Sequence, residues 1–151
     1  MGGLVFRRIS KDDAVALYEL LTGLSDEAKS FFHPHSIDLD TVHEICSKPI
    51  EHYFVLYLED VLIGYSMLRL CGHAIPSYGG CVRNGYEGRG YGTILLERTL
   101  SEARKMGFQS VRLKVQRENI RAYRLYTKIG FRKIGVLEDQ IVMSLELTEP
   151  R

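Results

Sequence analysis

The segment Gly88-Arg89-Gly90-Tyr91-Gly92-Thr93 joins the end of a strand-like run to the start of a helix-like one. Unpaired backbone N–H groups and the helix dipole converge at such a point and attract phosphate. A side chain in the loop would hold the main chain away from phosphate oxygens, and some positions require a positive φ that suits glycine. Glycine clusters also serve plain chain reversal, so the loop alone leaves both readings open. Two phosphate loops are excluded by spacing. A P-loop carries Lys before the Thr, where this chain has Gly92, and a dinucleotide fingerprint needs Gly-x-Gly-x-x-Gly. Among the five histidines, His73 has side-chain chemistry suited to proton transfer near neutral pH, and His33 and His35 flank Pro34 in a turn-like stretch. Each also reads as an ordinary loop residue. His43 and Cys46 stand three apart on a helical run, but no further ligands accompany them, so no metal is expected.

These groups need a scaffold, and the totals describe one. The chain has 151 residues, 45% hydrophobic and 26% charged, enough for one folded domain with a single sizeable core. A net charge of +1 argues against a phosphate-tracking nucleic-acid surface. Cys46, Cys71 and Cys81 are odd in number and form no Cys-x-x-Cys pair, so a reducing, cytoplasmic setting is expected. No apolar run approaches the ~20 residues that span a bilayer, so no membrane partner is expected. The start Met1 to Phe6 lacks the pattern of an export signal. Gly2 as a myristoylation acceptor is disfavoured by Phe6 at the usual Ser or Thr position.

Periodicity supplies the elements. A short strand is expected at Val5 to Ile9. Ser10 with Asp13 then starts a helix whose Ala14, Leu17, Tyr18 and Leu21 share a face. Residues 23 to 48 read as the mobile part, with a helical run near Leu39 to Cys46. His52 to Glu59 and Val61 to Leu70 form a hairpin turning at Glu59-Asp60, and Ser77 to Arg83 make a third strand. After the glycine loop, Leu96, Thr99, Leu100 and Ala103 line one helix face, ended by a left-handed cap at Gly107. Val111, Leu113 and Val115 alternate as a strand; Ala122, Leu125, Tyr126 and Ile129 form a helix before Gly130; Ile141, Met143 and Leu145 close as a strand. The fold class expected is α/β (α+β), a single mixed, mostly antiparallel sheet with flanking helices in one domain over 1–151.

Two motifs then resemble one family. Glu87 to Gly92 is similar to the Gln/Arg-x-x-Gly-x-Gly/Ala loop of the GCN5-related N-acetyltransferases, with Gly90 and Gly92 at the glycine positions and Glu87 as a departure. Asn119 to Phe131 matches their Asn-x-x-Ala-x-x-Leu-Tyr-x-x-x-Gly-Phe pattern through Asn119, Ala122, Leu125, Tyr126, Gly130 and Phe131. The resemblance covers residues from about 50 onward.

It implies acetyl-CoA as acyl donor and, as acceptor, a primary amine of a small molecule, an amino sugar or a protein attacking the thioester directly. Cys81, Val82 and Arg83 would bind the pantetheine arm through backbone groups, and Gly88, Arg89, Gly90, Tyr91, Gly92 and Thr93 would hold the diphosphate. Asn119, Ala122 and Tyr126 would flank the cofactor, with Tyr126 as proton donor to sulfur. The strand glutamate that many relatives use as base is absent between Ser77 and Arg83, leaving His73, Tyr78 or water, with His73 preferred. Arg83 or Arg89 would offset the Glu87 charge, and Asp38, Asp40 and Glu44 are candidates to attract a cationic amine. A homodimer through a sheet edge or helix is compatible with such a fold. A non-catalytic acyl-CoA-binding regulatory module is the alternative, and a nucleotide-binding protein is disfavoured by the absent Lys.

Overall fold

The computed structural model describes residues 3–147, so the Gly2 reading lies outside the described residues. Its chain runs β1 (Leu4–Arg8), a 3-10 turn (Lys11–Asp13), α1 (Ala14–Thr22), α2 (Asp26–Phe31), α3 (Leu39–Ser47), β2 (His52–Leu58), β3 (Val61–Arg69) and β4 (Ser77–Val82). It continues through α4 (Tyr91–Lys105), β5 (Ser110–Gln116), α5 (Ile120–Ile129), β6 (Arg132–Leu137) and β7 (Gln140–Glu146). The strands form one sheet in the order β1-β2-β3-β4-β5-β7-β6, in which only the β4–β5 pairing is parallel.

Alternation along the strands splits the core into two faces. Tyr53, Val55, Tyr65 and Met67 pack against Leu17, Leu20 and Leu21 of α1 and Val42 and Cys46 of α3. Phe54, Leu68 and Tyr78 pack on the other side against Leu96 and Leu100 of α4 and Val111, Leu113 and Phe131. Full burial of such a side chain contributes about 1.5–3 kcal/mol, so both helical layers are anchored by their own apolar stripes.

The expected helix start at Ser10 is present as a capping box. Ser10 Oγ accepts from Asp12 N at 3.1 Å, and Asp13 Oδ2 accepts from Ser10 N at 2.7 Å. Gly107 has φ 87° and ends α4 as expected. The hairpin turns at Glu59-Asp60, with Glu59 at φ 54°.

Residues 23 to 48, expected to be mobile, are instead tied down by side-chain bonds. Gln116 Nε2 donates to Ser30 O at 3.0 Å, Arg69 Nη1 donates to Pro34 O at 3.1 Å, and His35 Nε2 meets Tyr65 Oη at 2.9 Å. Two elements escaped the periodicity: α2, which has no buried residue, and the edge strand β6.

Candidate functional site

β4 and β5 start side by side and then part. Ser77 and Arg112 are their single registered pair, and Arg112 N donates to Pro76 O at 3.0 Å. On the other side of β4, Arg83 N donates to Ile63 O at 2.7 Å. Main-chain groups alternate in direction along a strand. Ser77, Gly79, Cys81 and Arg83 therefore turn theirs to β3, whereas Tyr78, Gly80 and Val82 turn theirs to the opening beside β5. Unpaired strand-edge amides call for a partner, and an extended ligand supplies one by lying in the gap as an extra strand.

A cleft of about 380 Å³ occupies that gap, lined by β4 residues, by Lys114 and Gln116 of β5, by Asn119, Ala122 and Tyr126, and by Ala28, Phe31 and Phe32 from below. Of the three residues the resemblance assigned to backbone binding, Val82 alone directs its main chain into this cleft. Cys81 lines it but turns its main chain to β3, and burial pushes its thiol pKa up. Arg83 does not line it, and its guanidinium donates to Leu62 O at 3.3 Å.

Glu87 lies on the cleft lining, and the glycine loop begins one residue beyond it. Gly88 and Gly90 have φ of 77° and 91°, the left-handed region that penalises any Cβ. Gly90 is the N-cap of α4 and no side chain caps the helix; the first intrahelical bond is Ile94 N to Gly90 O at 3.2 Å. The N–H groups of Tyr91, Gly92 and Thr93 thus have no partner within the helix and form the anion-attracting end. Gly92 needs no unusual φ, and a Cβ there would sit 3.8 Å from Val82, an ordinary contact. Glu87 Oε1 accepts from Gly85 N at 3.0 Å, so this carboxylate braces the turn. Among the described residues neither Arg83 nor Arg89 pairs with it, contrary to the expected charge offset. Arg89 stacks on Tyr86 at 5.6 Å instead.

Asn119 caps α5, accepting from Ala122 N at 3.4 Å, which presents Ala122 to the cleft. One turn later Tyr126 is half-buried, edge-on to Tyr78 at 6.2 Å and to Phe131 at 5.8 Å. Burial pushes its phenol pKa up to about 12. Tyr78 curls over Gly80, where any Cβ would collide with its ring. Burial raises the Tyr78 pKa well above normal, which removes it as a base near neutral pH.

A second cavity of about 670 Å³ shares with the first a wall of Tyr78, Gly79, Phe31, Phe32, Lys114 and Gln140. His73, exposed, and His33 line it, together with Arg69, Arg112 and Lys114. No Asp or Glu does. Asp38, proposed to attract a cationic amine, instead caps α3 by accepting from Thr41 N at 2.9 Å, and Asp40 and Glu44 line neither cavity. His35 is turned away to Tyr65 and Ser36, and burial lowers its pKa. Cys46 is buried in the core, its pKa pushed up to about 11 by burial, while His43 on the same helix is exposed.

Sequence reasoning missed Gly80, Gln116, Arg112 and Lys114. The last two alternate with the buried Val111, Leu113 and Val115, and it is Phe31 to Pro34 and the loop after β3 that make their face a cavity wall.

The fold is shared with solved proteins. The GNAT domain of PAT from S. lividans superposes with TM-score 0.84 at 18% identity, over 97% of each chain. YncA from Salmonella typhimurium, solved with its cofactor acetyl-CoA, gives 0.75 at 21% identity, over 97% of this chain and 95% of that one. The ribosomal-protein-S5-alanine acetyltransferase of Vibrio fischeri gives 0.79 at 15% identity, over 97% and 96%. Residues 14–131 match the acetyltransferase (GNAT) family, most of the chain and both motif regions. With an opened sheet, an uncapped glycine-led helix and a family match spanning them, the chain belongs to the acetyltransferase (GNAT) family, whose acyl donor is acetyl-CoA.

Proposed function

We propose that the chain transfers the acetyl group of acetyl-CoA to a primary amine of a small molecule by direct attack. The observation that carries this reading is the continuity of two cavities at Tyr78 and Gly79, one reaching toward the glycine loop and one lined by His33 and His73. Acetyl-CoA supplies an activated thioester. The cleft-facing N–H groups of Gly80 and Val82 hold the pantetheine arm and polarise the acyl oxygen, and the α4 end holds the diphosphate. The amine nitrogen forms its bond to the acyl carbon as the carbon–sulfur bond breaks. One proton passes from nitrogen to solvent through His73, and sulfur leaves as a thiolate facing Tyr126.

With a pKa near 12, Tyr126 keeps its proton throughout the working range. A thiolate whose conjugate acid has a pKa of ~8.5 is too weak a base to strip that phenol, so Tyr126 acts as a hydrogen-bond donor to developing charge. Tyr126→Phe is expected to lower kcat about 10- to 100-fold with little change in acetyl-CoA affinity. The wild-type rate should also show no alkaline limb due to Tyr126 below about pH 10, given that pKa. An alkaline limb near pH 9 that vanishes in Tyr126→Phe would contradict this role.

The transfer itself is tested by thiol release from acetyl-CoA across an amine panel, with mass spectrometry for a gain of about 42 Da, one acetyl group. Release no faster than hydrolysis with every amine would leave only a non-catalytic acyl-CoA-binding module. A reducing, cytoplasmic setting suits Cys46, Cys71 and Cys81, all free thiols. A homodimer would find its apolar edge at β6, where Ile134, Val136 and Leu137 are exposed, and its test is the mass in solution by light scattering.

A further inference from the structure

The wall of the larger cavity has a charge pattern that the strand register makes visible. Arg69 stands opposite Ser77, Ser77 opposite Arg112, Arg112 opposite Ser144, and Ser144 opposite Arg132. Directly opposed residues project from the same face of a sheet, so cations and hydroxyls alternate in one row across five strands. Arg69, Ser77 and Arg112 line the cavity, and Lys114 joins them two residues along β5 on the same face.

Isolated cations on a strand face are ordinarily just solvated. Here three of them share one concave wall with two histidines and no carboxylate. None of Arg69, Arg112 and Lys114 is ion-paired among the described residues. Glu51 approaches the rim, but its carboxylate accepts from Leu70 N at 2.7 Å and Cys71 N at 3.0 Å and is thereby committed to the loop. Arg69 is held in place by its bond to Pro34 O. Like charges gathered without a counter-charge repel one another, and an anion bound among them relieves that repulsion.

The anion is not the donor's diphosphate. The row crosses β4 at Ser77, five residues before Val82, which at about 3.3 Å per residue is ~16 Å from the end that leads to the glycine loop. Arg69 and Arg112 therefore serve the acceptor side, and Lys114, which lines both cavities, stands where the two join.

We infer that the acceptor is a small amine carrying its own anionic group, a carboxylate or a phosphate, held by Arg69, Arg112 and Lys114 so that its nitrogen reaches the Tyr78–Gly79 junction. This rests on the acetyl-transfer reading and adds the charge of the substrate. The cavity volume of about 670 Å³ accommodates a metabolite-sized molecule.

The test is a kcat/KM ranking of four amine sets of similar size: carboxylate-bearing, phosphate-bearing, uncharged apart from the amine, and polycationic. An anionic set is expected to lead the uncharged one by about tenfold or more, the effect of one charge-assisted contact, with polyamines last. The carboxylate and phosphate arms identify which anion is meant. Arg69→Gln and Arg112→Gln, at residues that line only the larger cavity, should each raise the KM for the favoured acceptor about tenfold and flatten the ranking, leaving the KM for acetyl-CoA within about twofold. Arg98→Gln on the exposed side of α4 should change neither. Preference for polycationic or uncharged amines, or a ranking that survives both variants, overturns the inference. If acetyl-CoA binds but no amine turns over, the transfer reading fails by itself. Calorimetry of the same amines against the coenzyme A complex then still decides the charge question: tighter anionic binding supports it, and equal or weaker binding defeats it.

Discussion

At the scale of single residues, the motif positions on α5 were legible because each has a local physical reason. Asn119 caps, Gly130 terminates, and Tyr126 follows Ala122 by one turn along the same helix. Cys81 and Arg83 were not, because which β4 amides face the opening depends on the phase of its pairing with β3, and a sequence does not carry that phase. Glu87 is the clearest departure from the family loop, and its geometry sharpens a prediction. Its Oε1 accepts from Gly85 N, a role the amide oxygen of glutamine can keep, while the negative charge at the mouth of the diphosphate site disappears. Glu87→Gln is therefore expected to lower the KM for acetyl-CoA about two- to fivefold with folding stability unchanged, consistent with a screened charge interaction worth under ~1 kcal/mol. Steady-state kinetics at low salt provide the check, and an unchanged or higher KM refutes it.

At the scale of elements, what matters is that α4 points its uncapped end at the cleft, and a buried hydroxyl pair fixes it there. Ser66 Oγ and Thr99 Oγ1 lie 2.7 Å apart, both fully buried, and Thr99 Oγ1 donates to Leu95 O at 2.7 Å. Since Thr99 spends its proton on Leu95, Ser66 is the donor between them. Thr99→Val strands the Ser66 hydroxyl and should cost about 1–3 kcal/mol, whereas the double change Ser66→Ala with Thr99→Val should cost less than the two single costs added. Urea denaturation of the four proteins measures this, and strict additivity would remove the pair as the lock between β3 and α4. The same scale explains which elements could be read. α1, α4 and β5 bury one face each and print that burial as periodicity, but α2 has only six residues, under two turns, and β6 lies at the sheet edge with none buried, so neither leaves a pattern.

At the scale of the whole molecule, one buried carboxylate ties the start of the chain to the sheet. Asp13 is 1% exposed, yet it accepts from Arg7 Nη1 at 2.8 Å and Nη2 at 2.9 Å, from Tyr57 Oη at 2.8 Å and from Ser10 N at 2.7 Å. It thereby joins β1, β2 and the turn into α1 at one point. Burial alone would raise its pKa; the bonds from Arg7, Tyr57 and Ser10 outweigh burial and hold the carboxyl below its ordinary value. The sign of the linkage follows. A carboxyl with a depressed folded pKa contributes its stability fully above the unfolded value of ~3.9 and loses it as pH falls through the folded pKa. Asp13→Asn is therefore expected to destabilise the protein by about 1–3 kcal/mol at pH 7, because the solvent-screened Arg7 guanidinium and the Tyr57 phenol lose their charged acceptor. That gap should stay constant from pH 7 to about 5 and narrow below pH ~4, as the wild-type carboxyl becomes neutral like its replacement. Denaturation midpoints of both proteins at pH 7 and pH 3 decide it. A gap that is as wide in acid as at neutrality would show that packing, and not charge, is what Asp13 supplies.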